Sequence, residues 1–152
     1  LLDDFEDADG DEPAQIEFAQ RVCDEWRVHS RLERELFYPA VRRALGEGAA
    51  RRLDDAQSDH GAIDALIASV EVGDPSDARF HAQVRALGTC IGRHVAAEES
   101  QLFALARESG LDLRALGAAL QARREALLAD MGLDPEVVLE DLEDDEAATD
   151  AR

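Results

Sequence analysis

The sequence His94-Val95-Ala96-Ala97-Glu98-Glu99 places a histidine and a carboxylate four residues apart. On an α-helix, residues at this spacing project from one face, about 6 Å apart along the axis. The sequence His29-Ser30-Arg31-Leu32-Glu33 repeats the spacing earlier in the chain. Such a pair alone is weak evidence for a site, so its position in the apolar pattern decides its meaning.

Both pairs lie within apolar stripes whose members recur every three or four residues, the spacing of residues that face a neighbouring helix. The later stripe is Phe80, Val84, Leu87, Ile91, His94, Glu98, Leu102 and Leu105. The earlier stripe is Ala19, Val22, Trp26, His29, Glu33, Leu36 and Ala40. A third is Ala49, Leu53, Ala56, His60, Ile63, Ile67 and Val70. Three helices are therefore predicted to direct imidazoles toward one interior, and two of them also carboxylates.

Burying unpaired charge costs several kcal/mol, so these groups need a partner. A metal ion suits mixed imidazole and carboxylate groups. The alternative is that the histidines are separately satisfied core residues. One histidine alone would favour that alternative, whereas five ionisable groups at core positions favour a metal site.

The composition indicates one helical domain without a membrane partner. Of the 152 residues, 45% are hydrophobic and 34% charged, and only four Pro and ten Gly interrupt them. Runs of β-branched residues are absent, which favours an all-α fold. No apolar run approaches the ~20 residues of a membrane span, and there is no basic-then-apolar leader.

The charge balance argues against nucleic acid or an anionic membrane surface as a partner. Asp and Glu number 35 against 16 basic residues, all Arg, which gives a formal charge of −19. We interpret the excess acid as a solvated surface. Cys23 and Cys90 are too few for a disulfide scaffold, so a reduced, cytoplasmic location is expected.

Gly and Pro residues divide the chain into segments. Residues 1–8 look like the end of a first helix, and further helices are predicted over about 13–45, 49–72, 77–108 and 111–131. Pro39 predicts a bend near Tyr38-Pro39, and Gly46-Glu47-Gly48 predicts a turn. Residues 1–131 would form the bundle and the acidic residues 132–152 a largely disordered tail, with a short helix over 135–142 as an alternative.

Short turns make successive long helices antiparallel, which predicts an up-down bundle. At ~1.5 Å per residue, Glu33 lies about 18 Å below the Gly46 turn and His60 about 16 Å below it. The two side chains should therefore meet at one height.

Over about residues 1–128, this arrangement resembles the hemerythrin-like, or HHE cation-binding, family. That family has a His on its first helix, H-x-x-x-E on the second, His on the third and H-x-x-x-E on the fourth. The matching residues here are His29, Glu33, the Leu36-Phe37-Tyr38-Pro39 ending, Asp59-His60, His94, Glu98, Glu99, Leu102 and Phe103. The resemblance implies an up-down antiparallel four-helix bundle, of which myohemerythrin is an example, here with an additional C-terminal helix.

The sequence departs from the family pattern at two ligand positions. No first-helix His precedes His29, and the resemblance places that residue before Leu1. Oxygen-carrying hemerythrins have a second His one turn after the third-helix His, where this chain has Asp64, which is expected to face solvent. His81 is expected to be a surface residue, and Trp26 a wall of the core or pocket.

The resemblance further implies that His29, His60 and His94 bind metal through imidazole nitrogen, while Glu33 and Glu98 bridge two metals. Iron is the expected metal of this di-iron centre, with manganese or zinc as alternatives. The implied function is binding or sensing of O2, NO or redox state. The alternatives are an enzyme acting on peroxide or ferrous iron, or a metal-stabilised interaction module whose protein partner the sequence does not identify.

Overall fold

The computed structural model describes Phe5 and residues 12–133, and helices are the only regular elements among them. These helices are α1 (Glu12–Leu32), a π-helical segment (Glu33–Phe37), α2 (Tyr38–Leu45), α3 (Glu47–Glu71), α4 (Ala78–Glu108) and α5 (Leu113–Met131). The all-α prediction is confirmed for this part of the chain. Except for Phe5, the predicted first-helix segment lies outside the described residues, as do the short helix and all but the start of the acidic tail.

The π-helical segment joins α1 and α2 into one continuous helix. Pro39 has no backbone N–H and cannot make the bond to the carbonyl four residues earlier. The N–H of Tyr38 instead bonds to the carbonyl of Glu33, five residues earlier, and Pro39 lies in the first turn of α2. The interruption predicted at Tyr38-Pro39 is therefore a widened turn that begins at Glu33.

The other helix ends agree with the predicted bounds to within about two residues. The predicted three-residue turn is wrong, because Gly46 alone separates α2 from α3. Its φ of 52° and ψ of −128° reverse the chain in a single step. Asp77 and Asp112 cap α4 and α5 by accepting hydrogen bonds from the backbone N–H groups of Arg79 and Ala115.

Ion pairs link the continuous α1–α2 helix to α3 in reverse sequence order, so the two are antiparallel. The pairs are Arg27–Glu71, Arg34–Asp64 and Arg42–Asp54. Helix α3 also packs along α4. Helix α5 packs on α1, where Leu127 and Leu128 are fully buried against Val28. Burying each leucine contributes about 1.5–3 kcal/mol, which fixes α5 to the bundle.

Two apolar clusters flank a polar layer in the middle of the bundle. One cluster includes Phe5, Trp26, Ile63 and Leu87. The other includes Phe37, Val41, Leu53, Leu102 and Ala106. The ionisable groups singled out in the sequence lie between them. Among residues 12–133, no helix combines the length and apolar character needed to cross a bilayer.

Candidate metal centre

Three imidazoles converge on the carboxylate of Glu33. Oε1 of Glu33 lies 3.1 Å from Nε2 of His29, and Oε2 lies 3.0 Å from Nε2 of His60. Nε2 of His94 is 3.7 Å from the same Oε2. Each of these four residues offers one ligand atom, and the four atoms all lie within 4.8 Å of one another.

The helices bury this group unequally. His60 and His94 are 0% and 1% exposed, and Glu33 is 5% exposed, as their core positions predicted. The side chain of His29 is 34% exposed, so the prediction of a core position is wrong for this residue. The described helices cover only part of its ring. Its Nε2 atom, which faces the centre, is nevertheless buried, so the exposed part of His29 is the outer edge of the ring.

Glu98 lies beside the four-residue group. Its Oε1 accepts a hydrogen bond of 2.6 Å from the hydroxyl of Tyr38, and its Oε2 is 3.5 Å from Nε2 of His94. Oε2 has no hydrogen-bond partner among the described residues, although Glu98 is only 3% exposed. A buried carboxylate oxygen without a partner is costly, so this atom is available to a ligand.

Tyr38 is a member of the centre that the sequence patterns did not single out. Its hydroxyl is 3.0 Å from Oε2 of Glu33 and 2.9 Å from Nε2 of His60, in addition to its contact with Glu98. Five residues along an α-helix turn a side chain about 140° away from its starting direction. The π-helical turn absorbs one residue and brings Tyr38 back toward Glu33. Pro39 was the available signal for this change.

Trp26 forms one wall of the centre, as predicted. Its ring centroid lies 5.3 Å from that of His29, 4.9 Å from that of His60 and 5.3 Å from that of His94. Its Nε1–H donates to Oδ1 of Asp64 at 2.9 Å. The indole thus packs on all three imidazoles while its polar edge is satisfied by a carboxylate.

Asp64 does not join the ligand group. One carboxylate oxygen accepts from Trp26 and the other lies 2.9 Å from Arg34 on an exposed surface. These bonds hold its pKa below its ordinary value even though partial burial opposes ionisation. The prediction that Asp64 faces solvent is confirmed. At the position where oxygen-carrying hemerythrins have a second His on the third helix, this chain has Asp64, which orients Trp26 through a hydrogen bond.

His81 also lies apart from the centre. Its Nε2 is 3.0 Å from the carbonyl of Pro75, and its ring packs edge-on against Phe5 at 5.7 Å. The residue is half-buried rather than a plain surface His. It is therefore a suitable control for the other three histidines.

The two buried glutamates have opposite electrostatic environments. Burial raises the pKa of Glu98, and the neighbouring carboxylate of Glu33 raises it further. Burial also opposes ionisation of Glu33, but the nearby imidazoles of His29, His60 and His94 hold its pKa well below the ordinary value. The metal-free centre therefore favours one ionised and one protonated carboxyl group.

Two further groups of the centre, His60 and Tyr38, also have shifted pKa values. Burial lowers the pKa of His60, against the opposing effect of Glu33. Burial and the two glutamates raise the pKa of Tyr38 beyond its ordinary range. The imidazole of His60 and the phenol of Tyr38 are thus favoured in their neutral forms, and neutral imidazole is the form that binds a metal.

The donor set fits a cation. The Nε2 atoms of His60 and His94 are 3.2 Å apart, and both also face Oε2 of Glu33. Nε2 of His29 is also buried and has no hydrogen-bond partner in the described part of the chain. Lone pairs that converge in a buried space repel one another unless protons or a cation lie between them. A metal ion would satisfy these atoms together.

Comparison with known proteins identifies the family. The description "Hemerythrin HHE cation binding domain" matches residues 1–106. A protein named DNA nickase from Nostoc sp. (strain PCC 7120 / SAG 25.82 / UTEX 2576) is 33% identical over 99 residues, which is 64% of this chain and 27% of that protein. The chain thus spans about a quarter of the length of this curated relative. No solved structure matches the chain significantly. The chain belongs to the hemerythrin HHE cation-binding domain family.

Proposed function

We propose that this chain holds a di-iron centre and uses it to bind or sense O2, NO or redox state, with manganese or zinc as alternative metals. The proposed ligands are His29, Glu33, His60, His94 and Glu98. The observation that carries the proposal is the convergence of three imidazole Nε2 atoms on the buried carboxylate of Glu33. The family's cation-binding description supports it.

Glu33 is the proposed ligand shared by two metal ions. Its two oxygens face different imidazoles, Oε1 toward His29 and Oε2 toward His60. If the carboxylate served two cations, its charge would offset their mutual repulsion. Glu98, with one oxygen free of partners, is the second carboxylate of the proposed set.

The protein residues would position the centre and limit its access to water. When bound, iron supplies coordination positions that a small molecule can occupy and a change of oxidation state. Trp26 packs on the three imidazoles, and only the outer edge of His29 reaches the surface. The proposal includes an up-down four-helix bundle completed by the segment around Phe5, and a cytoplasmic location, in keeping with free Cys23 and Cys90.

A second candidate is an enzyme that reduces peroxide or oxidises ferrous iron. The observation in its favour is the hydroxyl of Tyr38, which lies within 3.0 Å of both carboxylates. A protonated phenol at this position could donate a hydrogen bond to a substrate oxygen beside the centre.

Spectroscopy of the iron-loaded chain separates these candidates. Exposure to O2 or NO should give a new visible absorption band that disappears when the gas is removed, with no net consumption. His81→Ala should behave like the parent and His60→Ala should give no band. Steady consumption of peroxide by catalytic amounts of protein, with added ferrous iron as the electron donor and with loss of the activity in Tyr38→Phe, would instead establish the enzyme. An iron-loaded parent that responds to none of these molecules would refute both.

The name of this relative mentions DNA, but we do not propose DNA binding for this chain. The chain covers 27% of that protein, and its net charge of −19 repels phosphate. We therefore propose that this segment makes no contact with nucleic acid. A gel-shift titration with duplex DNA at low ionic strength should leave the DNA mobility unchanged, and a salt-sensitive shift would contradict the proposal.

A further inference from the structure

A cavity of about 80 Å³ lies between α3 and α4 and reaches the candidate centre. His94 and Glu98 form part of its lining, and both are buried. Asp59, further along the lining, is half-buried, while Arg52, Asp55 and Gln101 are exposed. The lining thus passes from the surface to two proposed metal ligands. Its volume accommodates a few water molecules or a partly hydrated ion.

The charges along this cavity favour a cation. Asp55 and Asp59 follow one another at a spacing of four residues on α3, so both lie on the face that lines the cavity. Oδ2 of Asp55 is 4.0 Å from Nε of Arg51, and both side chains are largely exposed. Within residues 12–133, no ion pair involves Asp59. Arg52 supplies the opposing charge at the rim.

An independent observation at the inner end also points to a ligand. Glu98 lines the cavity and is 3% exposed, yet its Oε2 has no hydrogen-bond partner among the described residues. His94 lines the same end of the cavity. Acidic groups on a helix surface are common, but here they lead to a buried carboxylate oxygen without a partner.

We propose that this cavity is the route by which divalent cations enter the centre, with Asp55 and Asp59 as the carboxylates that receive the hydrated ion and Glu98 as the first buried ligand it meets. The ions in question are ferrous iron and others that prefer mixed oxygen and nitrogen ligands. This inference rests on the proposed metal site. It adds a path and names residues that act on metal uptake without belonging to the final ligand set.

The charge of each residue predicts whether its removal slows or accelerates metal uptake. A carboxylate at the mouth raises the local concentration of a doubly charged cation and so raises the rate of entry. Removing one such charge should slow uptake about three- to tenfold at low ionic strength, and salt should reduce the difference. Removing the positive charge of Arg52 should have the opposite effect and accelerate uptake.

The test is a stopped-flow measurement of Co²⁺ uptake by the whole metal-free chain, monitored by visible absorption of the bound ion. Asp55→Asn and Asp59→Asn should each slow the second-order phase, and Arg52→Ala should accelerate it. The matched control is Asp54→Asn, which removes the same charge from a neighbouring exposed residue that does not line the cavity. The amount of Co²⁺ bound at saturation should stay the same in all four variants.

Two results would overturn the inference in distinguishable ways. If the parent takes up Co²⁺ but Asp55→Asn and Asp59→Asn react no more slowly than Asp54→Asn, the metal site stands and this route is wrong. If the parent binds no Co²⁺ at all, the proposed metal site fails and the route fails with it. Circular dichroism of each variant verifies that the helices are intact.

Discussion

The hydroxyl oxygen of Tyr38 lies 2.6 Å from Oε1 of Glu98, although 60 residues separate them in sequence. This hydrogen bond joins the start of α2 to the middle of α4. The same hydroxyl is within 3.0 Å of Glu33 and His60, yet it has only one proton to donate. Tyr38 therefore links three helices at the level of the candidate centre.

Tyr38→Phe should destabilise the metal-free protein by about 1–3 kcal/mol, because it leaves a buried carboxylate oxygen of Glu98 without its donor. The aromatic ring and its packing on Phe37 are retained, so the cost isolates the hydroxyl group. Urea denaturation followed by circular dichroism measures the change. Ser100→Ala, which removes an exposed hydroxyl from α4, is the control and should be nearly neutral. Equal stability of parent and Tyr38→Phe would show that this bond is unimportant.

Metal binding should quench the fluorescence of Trp26, which is the sole tryptophan of the chain. Its ring lies within 5.3 Å of the ring centroids of all three proposed ligand histidines. A paramagnetic ion such as Co²⁺ should remove most of the emission, whereas closed-shell Zn²⁺ should change it much less. His60→Ala should abolish the response to Co²⁺. Saturable Co²⁺ binding without loss of emission would place the ion elsewhere.

Cys23 should resist alkylation in the folded protein. Burial raises the pKa of its thiol from 9.0 to about 11, so that at pH 8 only about one molecule in a thousand carries the reactive thiolate. Its rate of modification by iodoacetamide should therefore increase as the pH rises toward 11. Burial of the thiol also slows the reaction. Mass spectrometry after brief labelling at pH 8 should find Cys23 unmodified when folded and modified in urea. Rapid labelling in the folded state would contradict its burial.

Gly46 and Gly92 should respond in opposite directions to replacement by alanine. Neither has a neighbouring atom that an added Cβ would meet within 4 Å, so steric contact does not distinguish them. Gly46 has a φ of 52° and a ψ of −128°, which an alanine adopts only at a cost of about 1–3 kcal/mol. Gly92 lies within α4, where alanine should add about 0.5–1 kcal/mol of stability. Thermal denaturation of both variants compares the two effects, and a stabilised Gly46→Ala would show that this turn is not strained.

The helical architecture and most of the centre could be predicted from the sequence because they depend on local spacing. A histidine and a glutamate four residues apart share a helix face, and the stripes around them specify which face is buried. Counting residues from the Gly46 turn placed Glu33 and His60 at one height, and their side chains are 3.0 Å apart. Gly46 was predicted as a turn for the same local reason, although its length was overestimated.

The contacts of Tyr38 with the centre and the hydrogen-bond partners of Asp64 could not be predicted by the same reasoning. Helical periodicity of 3.6 residues directs Tyr38 away from Glu33, and only the widened π-helical turn before Pro39 reverses this direction. Asp64 occupies a ligand position of the family pattern, but its orientation depends on Trp26 and Arg34, which lie 38 and 30 residues away. The exposure of His29 likewise depends on which helices pack against it, and the residues of its own stripe do not predict this.

The proposed metal centre can be tested most simply by elemental analysis of the whole chain, purified without chelators after growth with iron, alongside three single variants. We expect about two irons per chain in the parent and in His81→Ala, since His81 lies apart from the centre. Glu33→Ala and His60→Ala should lose most of this metal, because each removes one of the four residues whose possible ligand atoms lie close together. If Glu33→Ala and His60→Ala held as much metal as the parent, the proposed centre would be wrong and any bound metal would lie elsewhere.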